Sequence, residues 1–125
     1  MSETTTTLAG RRVLLVEDEA MIAMLLEDML ADLGCEVVGP AYAVGHALEL
    51  ANAPEAIDVA ILDVNLGGAP VFEVADALRA RRVPMVFSTG YGEAGLRKQD
   101  QGAPVLGKPF RTEDLAIALR RALAS

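Results

Sequence analysis

Acidic residues, one threonine and one lysine stand at the ends of short apolar runs in the sequence. Glu17–Glu19 follows the first run, Asp63 stands near the end of the third, and Thr89 and Lys108 follow the fourth and the fifth. Carboxylates, a hydroxyl and an ammonium group are the set that handles a phosphoryl group together with a divalent cation. Each alone has an ordinary explanation, since such an Asp is often a helix N-cap and acidic residues favour helix N-termini. Their joint occurrence at the ends of four apolar runs indicates a site for phosphoryl chemistry.

The charge of this set predicts a metal ion. Two carboxylates about 4 Å apart repel by about 4 kcal/mol at an effective dielectric near 20. Lys108 offsets only one of several negative charges. All remaining donors are oxygens, which suit Mg²⁺. Thr89, Lys108 and the metal then stabilise the oxygens of a transferring phosphoryl group, and a carboxylate oxygen of Asp63 attacks it.

Apolar periodicity predicts five strands alternating with helices. The strands are expected at Arg12–Val16, Cys35–Val38, Ile57–Val64, Pro84–Ser88 and Val105–Leu106. The helices are expected at Glu19–Leu33, Val44–Ala53, Val71–Arg82 and Thr112–Leu123. This alternation, with continuous apolar strands, predicts an α/β doubly wound parallel sheet with helices on both faces. Ligands of such sheets bind at the carboxyl ends of the strands, where the polar residues stand.

Turn residues divide these elements. Gly34 is expected to stop the first helix, and Gly39-Pro40 to end the second strand. Asn65–Pro70 is predicted to be a loop, and Thr112 to be the N-cap of the last helix. The segment Gly92–Gln101 gives the weakest pattern and is expected to form a short or mobile helix.

The bulk composition excludes several classes of protein. A net charge of −7 disfavours binding to nucleic acid, and the single cysteine, Cys35, excludes an intrachain disulfide. No apolar run approaches the roughly 20 residues of a membrane span. Residues 1–10 are polar and are expected to form a flexible arm, with one domain over residues 11–125 and a cytoplasmic location.

As a set, four motifs resemble the receiver domain of bacterial two-component response regulators. They are VLLVEDE (Val13–Glu19), ILDVNL (Ile61–Leu66), PMVFSTGYG (Pro84–Gly92) and GKPF (Gly107–Phe110). The resemblance implies a flavodoxin-like fold with strand order 2-1-3-4-5. The FSTGYG segment resembles an atypical subgroup of alphaproteobacterial receivers with an FATG-like motif.

The resemblance also implies roles for single residues. Asp63 matches the phosphorylated aspartate, and Lys108 matches the lysine that pairs with the phosphoryl oxygens. Glu17 and Asp18 match the acidic pair at the Mg²⁺ ion, with Asp18 the direct ligand. The metal set is completed by Asp63 and a backbone carbonyl, which is that of Asn65. The switch hydroxyl is that of Thr89.

Position 105 departs from the family pattern. The usual switch aromatic lies three residues before the lysine, where this chain has Val105. The usual coupling of a threonine shift to a rotating ring has no ring at this position, and Tyr91 is the alternative aromatic. Asn65 and Tyr91 also occupy the positions that tune the lifetime of the phosphoryl group in the family.

The expected function is that of a stand-alone receiver rather than an enzyme. A histidine kinase or histidine phosphotransfer protein is expected to phosphorylate Asp63, and the changed surface to bind a downstream protein. Dimerisation around the last helix stays open. One alternative is a small phosphatase with an aspartate nucleophile, which would need an acidic residue where Asn65 stands. Others are a degenerate receiver that acts only as a binding module, and a flavin carrier, whose phosphate the Glu17–Glu19 carboxylates would repel.

Overall fold

Strand β1 (Arg12–Val16) and strand β3 (Val59–Asp63) lie in the middle of a parallel sheet and are almost wholly buried. The structure is a computed structural model that describes residues 7–89 and 95–124. The other strands are β2 (Glu36–Ala41), β6 (Met85–Thr89) and β7 (Val105–Gly107), and the sheet order is β2-β1-β3-β6-β7. Counting only these five strands, this is the predicted order 2-1-3-4-5.

Within the described residues, four helices cover the two faces of this sheet. They are α1 (Ala20–Asp32), α2 (Val44–Asn52), α3 (Phe72–Ala80) and α4 (Thr112–Ala124). Side chains of α1 and α4 pack in one apolar cluster, and those of α2 and α3 pack in the other. Successive residues of β1 enter opposite clusters, as the pleat of a strand requires. Each of these four helices was predicted from the sequence, with ends that differ by at most two residues.

Gly34 ends α1 as its position predicts. Its φ of +82° places it in the left-handed region, and the N–H of Cys35 donates to the carbonyl of Leu30. This is the arrangement of a glycine C-terminal cap. The chain therefore turns directly from α1 into β2.

The prediction that Gly39-Pro40 ends the second strand is wrong, because β2 continues through both residues to Ala41. β2 is an edge strand, where a proline removes no hydrogen bond from an inner ladder. The register against β1 shifts here, and Gly39 has a φ of +100°. A Cβ atom at Gly39 would lie 2.9 Å from the Ala41 nitrogen, so this irregularity requires glycine.

The predicted loop at Asn65–Pro70 is instead a small antiparallel hairpin. Strand β4 (Asn65–Leu66) pairs with strand β5 (Ala69–Pro70), and Gly67 and Gly68 turn between them with positive φ. Two consecutive glycines at positive φ are the signature of a tight hairpin turn. This hairpin directly follows Asp63 in the chain.

Three further differences concern the chain ends and the β6–β7 connection. Leu8 is buried in the cluster of α1 and α4, so packing includes a residue upstream of Arg11. Helix α4 begins at Thr112, and the Asp114 carboxylate accepts the N–H of Arg111, one residue before the predicted cap. Of the predicted short or mobile helix at Gly92–Gln101, residues 92–94 lie outside the described residues, Gly95 has 3-10 conformation, and Lys98–Asp100 forms a 3-10 turn.

Candidate functional site

The carboxyl ends of β1, β3, β6 and β7 form one edge of the sheet. Asp63 is the last residue of β3, Thr89 is the last residue of β6, and Lys108 directly follows β7. The strand register sets Asp63 opposite Ser88 and Thr89 opposite Gly107. Parallel pairing therefore brings residues that are tens of positions apart in sequence to one place.

A cleft of about 590 Å³ opens at this edge. Asp18, Asp63, Asn65, Thr89 and Lys108 are among the residues that line it. These are residues that the sequence predicts for the site, and Glu17 lies just beneath the surface with 1% exposure. The neighbour of Thr89 in the strand, Ser88, is buried and does not line the cleft.

Lys108 joins two of the carboxylates. Its Nζ atom lies 3.3 Å from Oδ2 of Asp63 and 3.3 Å from Oε1 of Glu17. Burial works against the charged form of Lys108, but the negative charges of Asp63 and Glu17 outweigh it and raise the pKa of the lysine. Lys108 therefore stays an ammonium group and supplies one positive charge to the cleft.

Glu17 is held in an unfavourable setting. Burial, with a contribution from the neighbouring Asp63, raises the pKa of Glu17 to about 7. The N–H of Glu19 donates to its Oε2 atom at 3.1 Å. Its Oε1 atom lies near Lys108, but the geometry is not that of a hydrogen bond, and this buried oxygen accepts none from the described residues. A buried acceptor of this kind calls for an explanation, and a bound cation is one that suits a carboxylate.

Asp18 is fixed by the hairpin after Asp63. The N–H of Gly67 donates to Oδ2 of Asp18 at 2.8 Å. Burial raises the pKa of Asp18, but this bond and the contacts with Glu17 and Asp63 lower it below its usual value on balance. Sequence reasoning missed this contact, because it joins residues 49 positions apart through a backbone group.

Asp63 presents its carboxylate to the cleft with 7% of the residue exposed. The N–H of Asn65 donates to Oδ1 at 3.2 Å, and Lys108 approaches Oδ2. The side chain of Asn65 is exposed. Asp63 is thus oriented on both oxygens while one edge of its carboxylate faces the cleft.

The donor set fits a hard divalent cation. One oxygen each of Glu17, Asp18 and Asp63 lies within 4.8 Å of the other two. Among the described residues these three carboxylates face one lysine, so the cluster carries excess negative charge. Oxygen donors with unbalanced charge are what Mg²⁺ binds.

Val105 and Tyr91 are the two residues considered for the aromatic part of the switch, and only Val105 belongs to the described residues. Val105 is half-buried in β7 and packs with the cluster of α2 and α3. Tyr91 lies outside the described residues, and so do Gly90 and Gly92 of the FSTGYG motif. Gly95 and Phe72, which the sequence did not single out, also line the cleft, and we call these two residues the Gly95–Phe72 wall. No helix of the described segments is long and apolar enough to span a membrane.

Comparison with known proteins supports one family. The family model described as "Response regulator receiver domain" matches residues 13–120. The solution structure of SdrG from Sphingomonas melonis Fr1 is 41% identical with a TM-score of 0.81, and the match covers 96% of this chain and 100% of SdrG. A second SdrG structure, of its BeF3-activated conformation, is 43% identical with a TM-score of 0.77, covering 92% of this chain and 98% of that one.

Two curated relatives are longer than this chain. The transcriptional regulatory protein PdtaR of Mycobacterium tuberculosis is 37% identical over 91% of this chain and 57% of its own length. The phyllosphere-induced regulator PhyR of Methylorubrum extorquens is 31% identical over 89% of this chain and 43% of its own length. The chain therefore spans about half the length of the curated relatives that it matches. The likeness to SdrG and PhyR agrees with the subgroup that the FSTGYG segment indicates.

Proposed function

The chain belongs to the response regulator receiver domain family, and from this premise we propose that Asp63 accepts a phosphoryl group from a phosphohistidine. The donor is a histidine kinase or a histidine phosphotransfer protein. The observation that carries the proposal is the convergence of Asp63, Glu17, Asp18 and Lys108 on one cleft, with Lys108 Nζ 3.3 Å from Asp63 Oδ2.

The chemical step follows from the position of Asp63. An oxygen of its carboxylate attacks phosphorus and forms an O–P bond, while the P–N bond of the donor breaks. The electron pair of that bond returns to the imidazole, which takes up one proton from solvent and leaves as neutral histidine. Lys108 neutralises charge on the phosphoryl oxygens, and Asn65 N–H orients the attacking carboxylate.

Glu17, Asp18 and Asp63 would hold Mg²⁺, with the carbonyl of Asn65 as a fourth protein ligand. When bound, this ion supplies positive charge that offsets the carboxylates and stabilises the transferring phosphoryl group. Asp18 is already fixed by Gly67, so its carboxylate is positioned before a ligand arrives. We assign Glu17 the role of completing the acidic pair from beneath the cleft.

The product is a change of surface rather than a released molecule. The acyl phosphate on Asp63 is expected to draw in Thr89 and Lys108 and so to bias a two-state equilibrium of the adjoining segments. The consequence we propose is binding to a downstream protein. One solved relative is the anti-anti-sigma factor PhyR of Bartonella quintana, which makes a regulatory protein the class of target to test.

Beryllofluoride with Mg²⁺ tests the proposal, because it mimics a phosphoryl group on a carboxylate. Backbone NMR shifts of the wild-type protein are expected to change around residues 63, 89 and 108. Asp63→Asn, which keeps the shape of the side chain, is expected to show no change. An equal response in both proteins contradicts the assignment of Asp63. Steady turnover of a generic phosphate ester would instead support the phosphatase alternative.

A further inference from the structure

Asp100 is a buried carboxylate outside the phosphoryl site. It is 1% exposed and lies in the 3-10 turn of the β6–β7 connection. Arg79 of α3 contacts its Oδ1 atom at 2.5 Å, and Arg97 contacts its Oδ2 atom at 2.7 Å. Arg97 also reaches the exposed Asp76 of α3 at 2.8 Å. We call these four residues the Asp100 latch, because they tie the β6–β7 connection to α3.

The stability of the fold does not by itself account for the ion pairs of the Asp100 latch. A buried ion pair contributes little to stability compared with apolar residues of the same volume, since desolvation offsets the attraction. What such a pair provides is one defined geometry, because removal of a partner leaves a buried charge. In this chain the ion pairs of Asp100 fix the distance between α3 and residues 97–100.

The latch adjoins the Gly95–Phe72 wall. The Arg97 guanidinium lies 4.6 Å from the centre of the Phe72 ring, and Phe72 lines the cleft. Gly95, two residues before Arg97, lines the same cleft beside Thr89. A Cβ atom at Gly95 would lie 3.9 Å from Oγ1 of Thr89. Leu96, between Gly95 and Arg97, is buried with the side chains of α2 and α3.

We infer that the Asp100 latch holds the Gly95–Phe72 wall in its resting position and so opposes occupation of the phosphoryl site. The inference rests on the proposed function. Gly95 lies beside two side chains, those of Val64 and Thr89. A shift of Thr89 towards a phosphorylated Asp63 takes one of them away, and the connection is expected to follow. The latch resists that movement, since its contacts join the connection to α3. Position 105 of β7, where the family usually has an aromatic residue, is a valine in this chain, whereas Gly95 lies beside Thr89.

The direction of the expected change in beryllofluoride affinity follows from the linkage between ligand binding and the two-state equilibrium. A ligand that binds one of two states binds more tightly when the competing state is weakened. Asp100→Asn removes the charge that holds both arginines. Arg97→Gln leaves Arg79 on Asp100 and loosens only the connection. Both variants are expected to bind beryllofluoride more tightly than wild type while they unfold at lower urea concentration.

The experiment measures beryllofluoride affinity in Mg²⁺ by NMR titration, with urea unfolding of the same samples. We expect roughly fivefold tighter binding in both variants, a size typical of coupling between sites. Asp58→Asn is the matched control: Asp58 accepts the Arg12 N–H at 2.8 Å, at the opposite edge of the sheet. It is expected to unfold earlier with unchanged affinity.

Unchanged or weaker affinity in Arg97→Gln, with wild type still binding, overturns the latch and leaves the proposed function standing. Tighter binding in Asp58→Asn as well overturns it too, because the effect would then follow stability rather than position. Failure of the wild-type protein to bind contradicts the proposed function itself. If Asp100→Asn does not fold, Arg97→Gln alone decides the outcome.

Discussion

Two clusters of charge lie close to each other in this molecule, and they are balanced differently. At the cleft, three carboxylates of the described residues share one ammonium group, that of Lys108. At the Asp100 latch, two carboxylates face two guanidinium groups, and each oxygen of Asp100 has an arginine. The charges of the Asp100 latch balance one another without a further ion. The unbalanced cluster has the oxygen donors and the excess negative charge that suit a divalent cation, and it is the cluster to which we assign the chemistry.

The difference also appears in single atoms. Glu17 keeps one buried oxygen that accepts no hydrogen bond from the described residues, and burial raises its pKa to about 7. Asp100 is buried to the same extent but is held by both arginines. Burial alone therefore does not mark a functional carboxylate. What distinguishes Glu17 from Asp100 is its shortage of hydrogen-bond partners.

The largest predicted effect concerns the balanced cluster. Asp100→Ala removes the buried carboxylate that accepts hydrogen bonds from Arg79 and Arg97. Because each hydrogen bond to a charged group contributes about 1.5 kcal/mol or more, we expect the free energy of unfolding to fall by about 3 kcal/mol. Urea unfolding monitored by circular dichroism measures this. Asp76→Ala removes an exposed partner of the same arginines and serves as the control, with little expected change. Equal losses in the two variants would contradict the special role of the buried carboxylate.

The next effect concerns the lysine of the cleft. Lys108→Ala removes the charge 3.3 Å from Asp63, and we expect phosphorylation by acetyl phosphate in Mg²⁺ to slow by about 100-fold. Intact-mass spectrometry over time gives the rate. Lys98→Ala, on the β6–β7 connection, is the matched lysine control and should keep the wild-type rate. A rate that survives in Lys108→Ala would remove the lysine from the mechanism.

A third effect tests the shortage of partners at Glu17 through pH. In the metal-free protein the pKa of Glu17 rises from 4.5 unfolded to about 7 folded. Between these values the folded state binds more protons, so the free energy of unfolding falls as pH rises from about 5 to about 7. Glu17→Gln abolishes this loss, on the order of 2 kcal/mol at pH 8.

Urea unfolding in EDTA at several pH values checks this expectation. The lowered pKa of Asp18 and the raised pKa of Lys108 act below and above this window, so they leave the sign unchanged. Glu36→Gln, an exposed glutamate on β2, should retain the wild-type pH slope. A wild-type slope in Glu17→Gln would show that another group titrates there.

The smallest effect concerns Asn65. Its side chain is exposed, and only its backbone is assigned to the metal. Asn65→Ala is therefore expected to keep Mg²⁺ affinity within about twofold, whereas Asp18→Asn should lose at least about tenfold, as ligand-shell changes commonly do. Titration of Mg²⁺ followed by NMR measures both. A large loss in Asn65→Ala would make the amide itself a ligand.

The unbalanced cluster was predictable from the sequence, and the balanced one was not. Asp63, Thr89 and Lys108 stand at strand ends, and a parallel sheet brings strand ends together without further information. Arg97 and Asp100 lie in a stretch with little apolar periodicity, so no well-defined element was predicted to position them. Their contacts with α3 span about 20 residues and depend on tertiary packing. The spacing of Arg97 and Asp100, three residues apart, was the only local signal.

Backbone details escaped prediction for a related reason. β2 continues through Gly39-Pro40 because it lies at the sheet edge, a fact of topology rather than of composition. The hairpin at Asn65–Pro70 was visible only as two glycines. Its contribution to the site is the hydrogen bond from the Gly67 N–H to Asp18, which no side-chain pattern in the sequence predicts.

The central claim is that Asp63, in the cluster where three carboxylates lie near one lysine, is the residue that accepts the phosphoryl group. The direct measurement is intact-mass and peptide-level mass spectrometry after incubation with a phosphohistidine donor and Mg²⁺. We predict one added phosphoryl group, located on Asp63 and absent from Asp63→Asn. A phosphoryl group on another residue, or an equal adduct in Asp63→Asn, would contradict the account.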